Sequence, residues 1–332
     1  MKSIFLSLLV TATLSFAEWK GPSGTERSTT KKDFLSHNLK ADRFSEIWNY
    51  TFYFNSGTQA YVSYSLNNLP LKGKVFGGEL SFQGFQGKNK SVSREYPYPR
   101  FAWHESEKTM KLTSKGTTMS LHELPGKGHR VHYSTDKNGG YFLDLTFVSA
   151  VKGKVIGDGE FKNGNHVFGQ VIHIPQGRVE GRIAVGKDTI EVKGVGVLEH
   201  TWQNQMLDDL AGHALQVYKY NSWSGKVLVA EKGDAVLGYG MVKTETGWKA
   251  ELFQEFLSEG KALKADDNLP KKITLKTNHS ELQFHRKKDR QVYSPLENID
   301  GWMARKAVKV ALGEIKVRRG TADGVSYSLM DK

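Results

Sequence analysis

Apolar and polar residues alternate with a period of two along most of this chain, which predicts extended strands with one face turned to a core. Residues 169–203 carry the pattern most clearly. Residues 171–174 run up to Pro175, and Val179, Gly181, Ile183 and Val185 then share one face of a second segment. Gly186-Lys187-Asp188 makes a hairpin turn, and residues 190–198 return with Ile190, Val192 and Gly194 on one face. Three strands are expected here. The last ends in Glu199-His200-Thr201-Trp202-Gln203, so an imidazole and an indole lie two residues apart, on the same side of an extended chain.

The same period recurs on either side. Residues 46–54 place Trp48, Tyr50, Phe52 and Phe54 on one face and pair with 59–66 across the Asn55-Ser56-Gly57 turn. Residues 74–84 form the next strand, and 84–98 read as a loop, with Tyr96-Pro97-Tyr98-Pro99 extended because each proline restricts the residue before it. Further strands are expected at 110–113, 118–123, 130–133 and 141–148. After the central stretch they resume at 214–220, 226–231, 236–242, 248–253, 273–277, 281–286, 314–319 and 325–329. Residues 18–41 lack periodicity and read as a loose lead-in. Helical spacing occurs at 301–312, where Met303, Ala304, Ala307, Val308 and Ala311 share a face, predicting one short helix near the C-terminus. Many short strands between Gly, Asn, Asp and Lys turns predict an all-β fold, a meandering antiparallel barrel or sandwich, and two meanders of similar length point to two antiparallel barrels in tandem.

The first 17 residues read as a secretory signal. Lys2 supplies the charge, residues 4–10 the apolar centre, and Ser15 and Ala17 the small residues a signal peptidase accepts. The apolar run is too short to span a bilayer. The expected organisation is a signal peptide at 1–17, a first barrel at 18–205 and a second at 206–332, exported to the periplasm or the medium.

With no Cys, disulfides, sulfur-ligated zinc and a thiol nucleophile are excluded. The composition includes 34 Gly against 8 Pro, and the 17 Phe, 13 Tyr and 7 Trp can line an apolar cavity. The net charge of +12 is spread along the chain in small clusters, which reads first as a basic solvated surface. An anionic membrane surface is the second candidate partner. Nucleic acid is excluded as a partner, since the chain is exported and has no basic-aromatic recognition module. No metal and no cofactor is expected. His129 and His132 have a spacing that suits a helix but fall on a strand, and no Gly-x-Ser-x-Gly elbow or phosphate-binding Gly-rich loop is present.

The stretch from Gly169 onward resembles the tandem lipocalin-like superfamily, which includes carotenoid hydratases, fungal Diels–Alderases and the fungal survival-factor family. The order Ile174-Pro175, Val179-x-Gly181-x-Ile183, Gly186, Gly194-x-Gly196 is kept, and His200 and Trp202 match the hydratase motif Asp-His-Asn-Trp-Gly. The survival-factor branch is closer. Its Gly, Gly, His, Gln and second His are similar to Gly194, Gly196, His200, Gln203 and His213, and its opening strand to residues 49–54. The resemblance implies two lipocalin-like barrels around an apolar ligand cavity, and a role in handling ceramide-like or oxidation-prone lipids during oxidative stress.

A hydratase protonates a carbon–carbon double bond with a carboxylic acid. In that reading His200 relays the proton and Trp202 stabilises the cation through its π face. The family's acid falls on residues 219–225 here, where Asn221 and Ser222 replace the carboxylates. Asp208 and Glu199 are the nearest alternatives, and no spacing singles either out. The expected function is therefore a non-catalytic carrier of a hydrophobic, lipid-like molecule. His200, Trp202, Gln203 and His213 would line its site, with no catalytic residue assigned. A polyene- or terpenoid-acting enzyme using His200 and Trp202 is the alternative.

Overall fold

The computed structural model describes residues 18–37, 41, 43–69, 73–100, 102–106, 109–114, 116–124, 128–205, 211–230, 235–262, 270–287, 289, 291–294, 306 and 316–331. Over these residues the chain is nearly all strand, as its period predicts, and no helix reaches seven residues. The expected signal peptide and the carboxylate Asp208 lie outside the described residues, as does the expected helix at 301–312 apart from Lys306.

One large antiparallel sheet holds the first half and curls into a nearly closed barrel. At its centre Phe44–Phe54 lies between Gln59–Leu69 and Asp188–Gln203, and the latter pairs with His166–Val185. Gly73–Phe85 and Lys88–Pro97 extend one flank. Tyr141–Val151, Gly128–Thr135, Thr117–Leu124, Thr109–Ser114 and Ala102–Ser106 extend the other. A second sheet runs from Gly247–Leu252 through Ala211–Lys219 and Val325–Asp331 to Gln291–Tyr293, and a three-stranded sheet, Glu255–Ala262 to Glu281–His285, shares its core. The first sheet ends at Gln203 and the second begins at Ala211.

Three local readings of the sequence are corrected. Residues 171–185 are not two strands but part of one, His166–Val185, which runs through Pro175. The register shifts between Ile172 and Gly177, and Pro175, with no N–H to give, takes no partner on either side. The expected loop at 84–98 is mostly the strand Lys88–Pro97. It is turned tightly by Gln86 and Gly87, whose positive φ of 47° and 76° lets the chain reverse within a few residues. The lead-in is also ordered in part, as the strand Glu26–Ser28 and the 3-10 turn Lys31–Phe34.

Rows of inward residues run across the strands. Leu198, Tyr50, Val62, Leu80 and Val92 follow one another through five neighbours, and small Ala60 separates Phe52 from Phe82. Trp48, Tyr50, Phe52, Phe76 and Phe82 have no exposed surface, so this wall is packed. Each such ring contributes roughly 1.5–3 kcal/mol by leaving water.

Candidate functional site

The apolar interior of the first barrel gives way to polar groups at one end. Strand parity places Glu46 on the inward face with Trp48, opposite Trp202, while His200 sits opposite Trp48. Both Glu46 and His200 have no exposed surface. His200 Nε2 lies 2.7 Å from Glu46 Oε1. Glu46 also accepts from the backbone N–H of His37 at 2.9 Å and faces His37 Nδ1 at 2.8 Å. Burial raises the Glu46 carboxyl, but the hydrogen bonds from His200 and His37 outweigh it and hold the group down at about 2.

Rings stack around this carboxylate. His200 lies on Trp48 with centroids 4.4 Å apart and planes 17° from parallel, and His37 lies flat on Trp202 at 3.5 Å and 13°. The indole fits because Gly169 stands opposite it, and any Cβ there would run into the ring. Trp202 Nε1 donates to Glu160 at 3.1 Å. His173, at the register shift beside Pro175, stacks 5.7 Å from His200. It is held well below the ordinary imidazole range by burial and by the charges of His200 and His129.

The segment from Thr29 to His37 covers this end of the barrel. Thr29 donates to the Gly153 carbonyl and Trp48 Nε1 to the Phe34 carbonyl, each at 3.0 Å. Ser36 bonds Glu105 through both its N–H and its hydroxyl, each at 2.6 Å. Phe34 packs against the rings of His129 and His173, and His200 Nδ1 lies 3.1 Å from the Asp33 carbonyl. That contact fixes a tautomer. A carbonyl only accepts, so Nδ1 carries a hydrogen, and Nε2 then faces a carboxylate oxygen that also only accepts. A proton shared between Nε2 and Glu46 makes the contact favourable, and it is held there against burial, which lowers the His200 imidazole while the Glu46 carboxylate raises it.

The outward face of the same strand behaves differently. Glu199 is buried against the second half of the molecule, with Lys226 Nζ at 3.5 Å, and burial raises its carboxyl against the pull of that lysine. Nearby Gln170 clasps the backbone of Tyr239 through both amide atoms, and Tyr53 stacks on Tyr218 at 4.8 Å. A narrow crevice along this junction is bounded by Thr51, Gln83, Gln291 and Arg319. Its free space suffices for about one ordered water. A lipid does not fit there.

Of the residues picked out by sequence, His200 and Trp202 come together at the barrel end. Gln203 falls on the opposite strand face, with Glu199. His213 belongs to the second sheet, where its ring neighbour is Phe256. His129 and His132 lie on a strand as expected, and the ring nitrogen of His129 meets the Tyr50 hydroxyl at 2.9 Å. Sequence reasoning missed Glu46, His37 and His173. For Glu46 the signal was present, because a carboxylate at the parity of Trp48 and Tyr50 is a charge on a core face.

No family model and no curated protein matches the chain. Solved structures do. A candidate AttH of Nitrosomonas europaea superposes with a TM-score of 0.63 at 14% identity, over 94% of this chain and 99% of that one. CghA, crystallised with Sch210972, gives 0.57 at 12% identity over 87% and 88%, and a second CghA structure 0.55 at 11% over 92% and 97%. At these identities the likeness shows the fold, which is lipocalin-like.

Proposed function

We propose that this protein is an exported binder of a small hydrophobic, lipid-like molecule, taken up at the end of the first barrel beneath the segment from Thr29 to His37. One observation carries the reading. A packed aromatic wall ends in buried, oriented polar groups, the residue types that hold an apolar body and fix one polar end. CghA, with the same fold, was crystallised with Sch210972, which supports ligand binding as a class and fits an enzyme as well as a carrier. The finer link to lipid handling in oxidative stress rests on the survival-factor resemblance of Gly194, Gly196 and His200. Native mass spectrometry of protein purified from its own host tests the reading. A co-purified hydrophobic molecule, lost on Trp202→Ala, is expected, and a bare chain that also fails to quench Trp fluorescence with added fatty acid would overturn it.

A second reading is favoured by the Glu46–His200 contact. The carboxylate that the hydratase reading lacked at residues 219–225 is present at this site, and His37, one-quarter exposed, connects it to the outside. Under that reading the pair moves a proton to or from a polyene. His200→Ala abolishes turnover of a supplied polyene if the protein is an enzyme, and only weakens retention if it is a carrier.

A further inference from the structure

We infer that His37, Glu46 and His200 form a binding site for a divalent transition-metal ion, with zinc as the first ion to test. Two imidazole nitrogens and one carboxylate oxygen, His37 Nδ1, Glu46 Oε1 and His200 Nε2, lie within 4.8 Å of one another. This is a donor set that suits a borderline first-row cation and leaves coordination positions for water. Ligand atoms held about 2.1 Å from a common ion stand roughly 3.0–3.4 Å apart. Both nitrogens are already 2.7 and 2.8 Å from the same Glu46 oxygen, so an ion needs each to draw back from that oxygen by only a few tenths of an ångström, and the two nitrogens lie within 4.8 Å of one another.

Two further features set the cluster apart from a set of chance neighbours. The first is the outer contact of His200. Its Nδ1–H points at the Asp33 carbonyl at 3.1 Å, which fixes the tautomer and leaves Nε2 as the ligating nitrogen. Metal-bound histidines are oriented in this way. In the metal-free protein Nε2 donates the hydrogen bond that helps to hold Glu46 ionised, and an ion would take the place of that proton between the imidazole and the carboxylate. The second is His173, whose buried ring stacks on that of His200 at 5.7 Å and whose Nε2 has no hydrogen-bond partner among the described residues. A buried imidazole nitrogen left without a partner costs free energy, and a water carried by an ion at the neighbouring cluster would offer it one.

The rest of the surroundings fits an ion with one open side. Glu46 and His200 are held by the packed barrel, while His37 stands at its rim with its side chain 26% exposed. Trp48 and Trp202 flank the cluster and keep bulk water off the carboxylate. The ion would occupy the same polar groups, Glu46 and His200, that the ligand-binding reading gives to the ligand's polar end, and a metal titration of the ligand-free chain tests it apart from that reading.

The test uses the whole mature chain, stripped with chelator and titrated with ZnCl2, and with CoCl2 as a spectroscopic probe. One equivalent of zinc is expected to bind with a rise in Tm, and Co2+ is expected to give the visible bands of a four- or five-coordinate nitrogen–oxygen site. His37→Ala, at the rim, should leave the far-ultraviolet circular dichroism unchanged, weaken binding at least about tenfold and erase the cobalt bands. His279→Ala, on the second half of the molecule, should change neither. Absence of stoichiometric zinc binding overturns the proposal. So does zinc binding that His37→Ala leaves intact in a folded protein, which would mark adventitious surface binding.

Discussion

The two faces of the strand Asp188–Gln203 bury titratable groups in opposite ways. On the inward face Glu46 meets His200, the His37 ring and a backbone N–H, and remains ionised inside the barrel. On the outward face Glu199 has a lysine at 3.5 Å and is pushed toward its neutral form by burial. The distance from water is alike, so the difference lies in how many donors reach the carboxylate. A buried anion persists where several well-placed donors replace its hydration, and shifts toward the acid where they do not.

The largest effect should come from Glu46→Ala. It leaves His200 and His37 without their acceptor in a dry site, and a cost of about 3–5 kcal/mol is expected, read from urea denaturation. A cost near zero would show that the inward cluster is no better satisfied than the outward one. Gly169→Ala probes the same face through packing alone, since the added methyl meets the Trp202 indole. It should cost about 1–3 kcal/mol and shift the indole fluorescence. Glu199→Gln sharpens the contrast from the other side. The substitution imitates the form toward which burial already pushes this group, so stability should change by no more than about 1 kcal/mol.

The smallest effect serves as a surface reference. Asp144 pairs with Arg130 at 2.7 Å on the barrel wall, and the guanidinium holds its carboxyl below the usual 3.8 against a smaller effect of burial. Arg130 is more than half exposed, so Asp144→Asn should cost only about 0.5 kcal/mol. A carboxyl depressed in the folded state stabilises above its unfolded value and loses that contribution as pH falls through the folded one. The difference between wild type and Asp144→Asn is therefore full at neutral pH and disappears once acid protonates the Asp144 carboxyl, measurable as converging Tm values.

Much of this fold is legible residue by residue. The alternation Trp48, Tyr50, Phe52, Phe54 names the inward face, and Asn55-Ser56-Gly57 and Gly186-Lys187 name the turns, because side-chain parity and positive φ are local properties. Pro175 misled, since a proline normally ends a strand and only a bulge in the ladder lets one pass. Residues 18–41 misled for another reason. The order of residues 29–37 comes from bonds to Gly153, Glu105 and His200, none of them near in sequence. Of the candidate site, His200 and Trp202 could be chosen from their two-residue spacing, and Gln203 is turned away by that same parity.

The sequence by itself determined the all-β class, the inward and outward faces, and a histidine and tryptophan side by side at a strand end, because each follows from a period of two along a single segment. Only the tertiary structure decided that Glu46 and His37 stand against His200. Closing the sheet makes Phe44–Phe54 and Asp188–Gln203 neighbours across about 150 residues of chain, as the Glu46–His200 contact records, and lays residues 29–37 over the barrel end. No local pattern specifies such a meeting, since it depends on register and closure, which belong to the sheet as a whole.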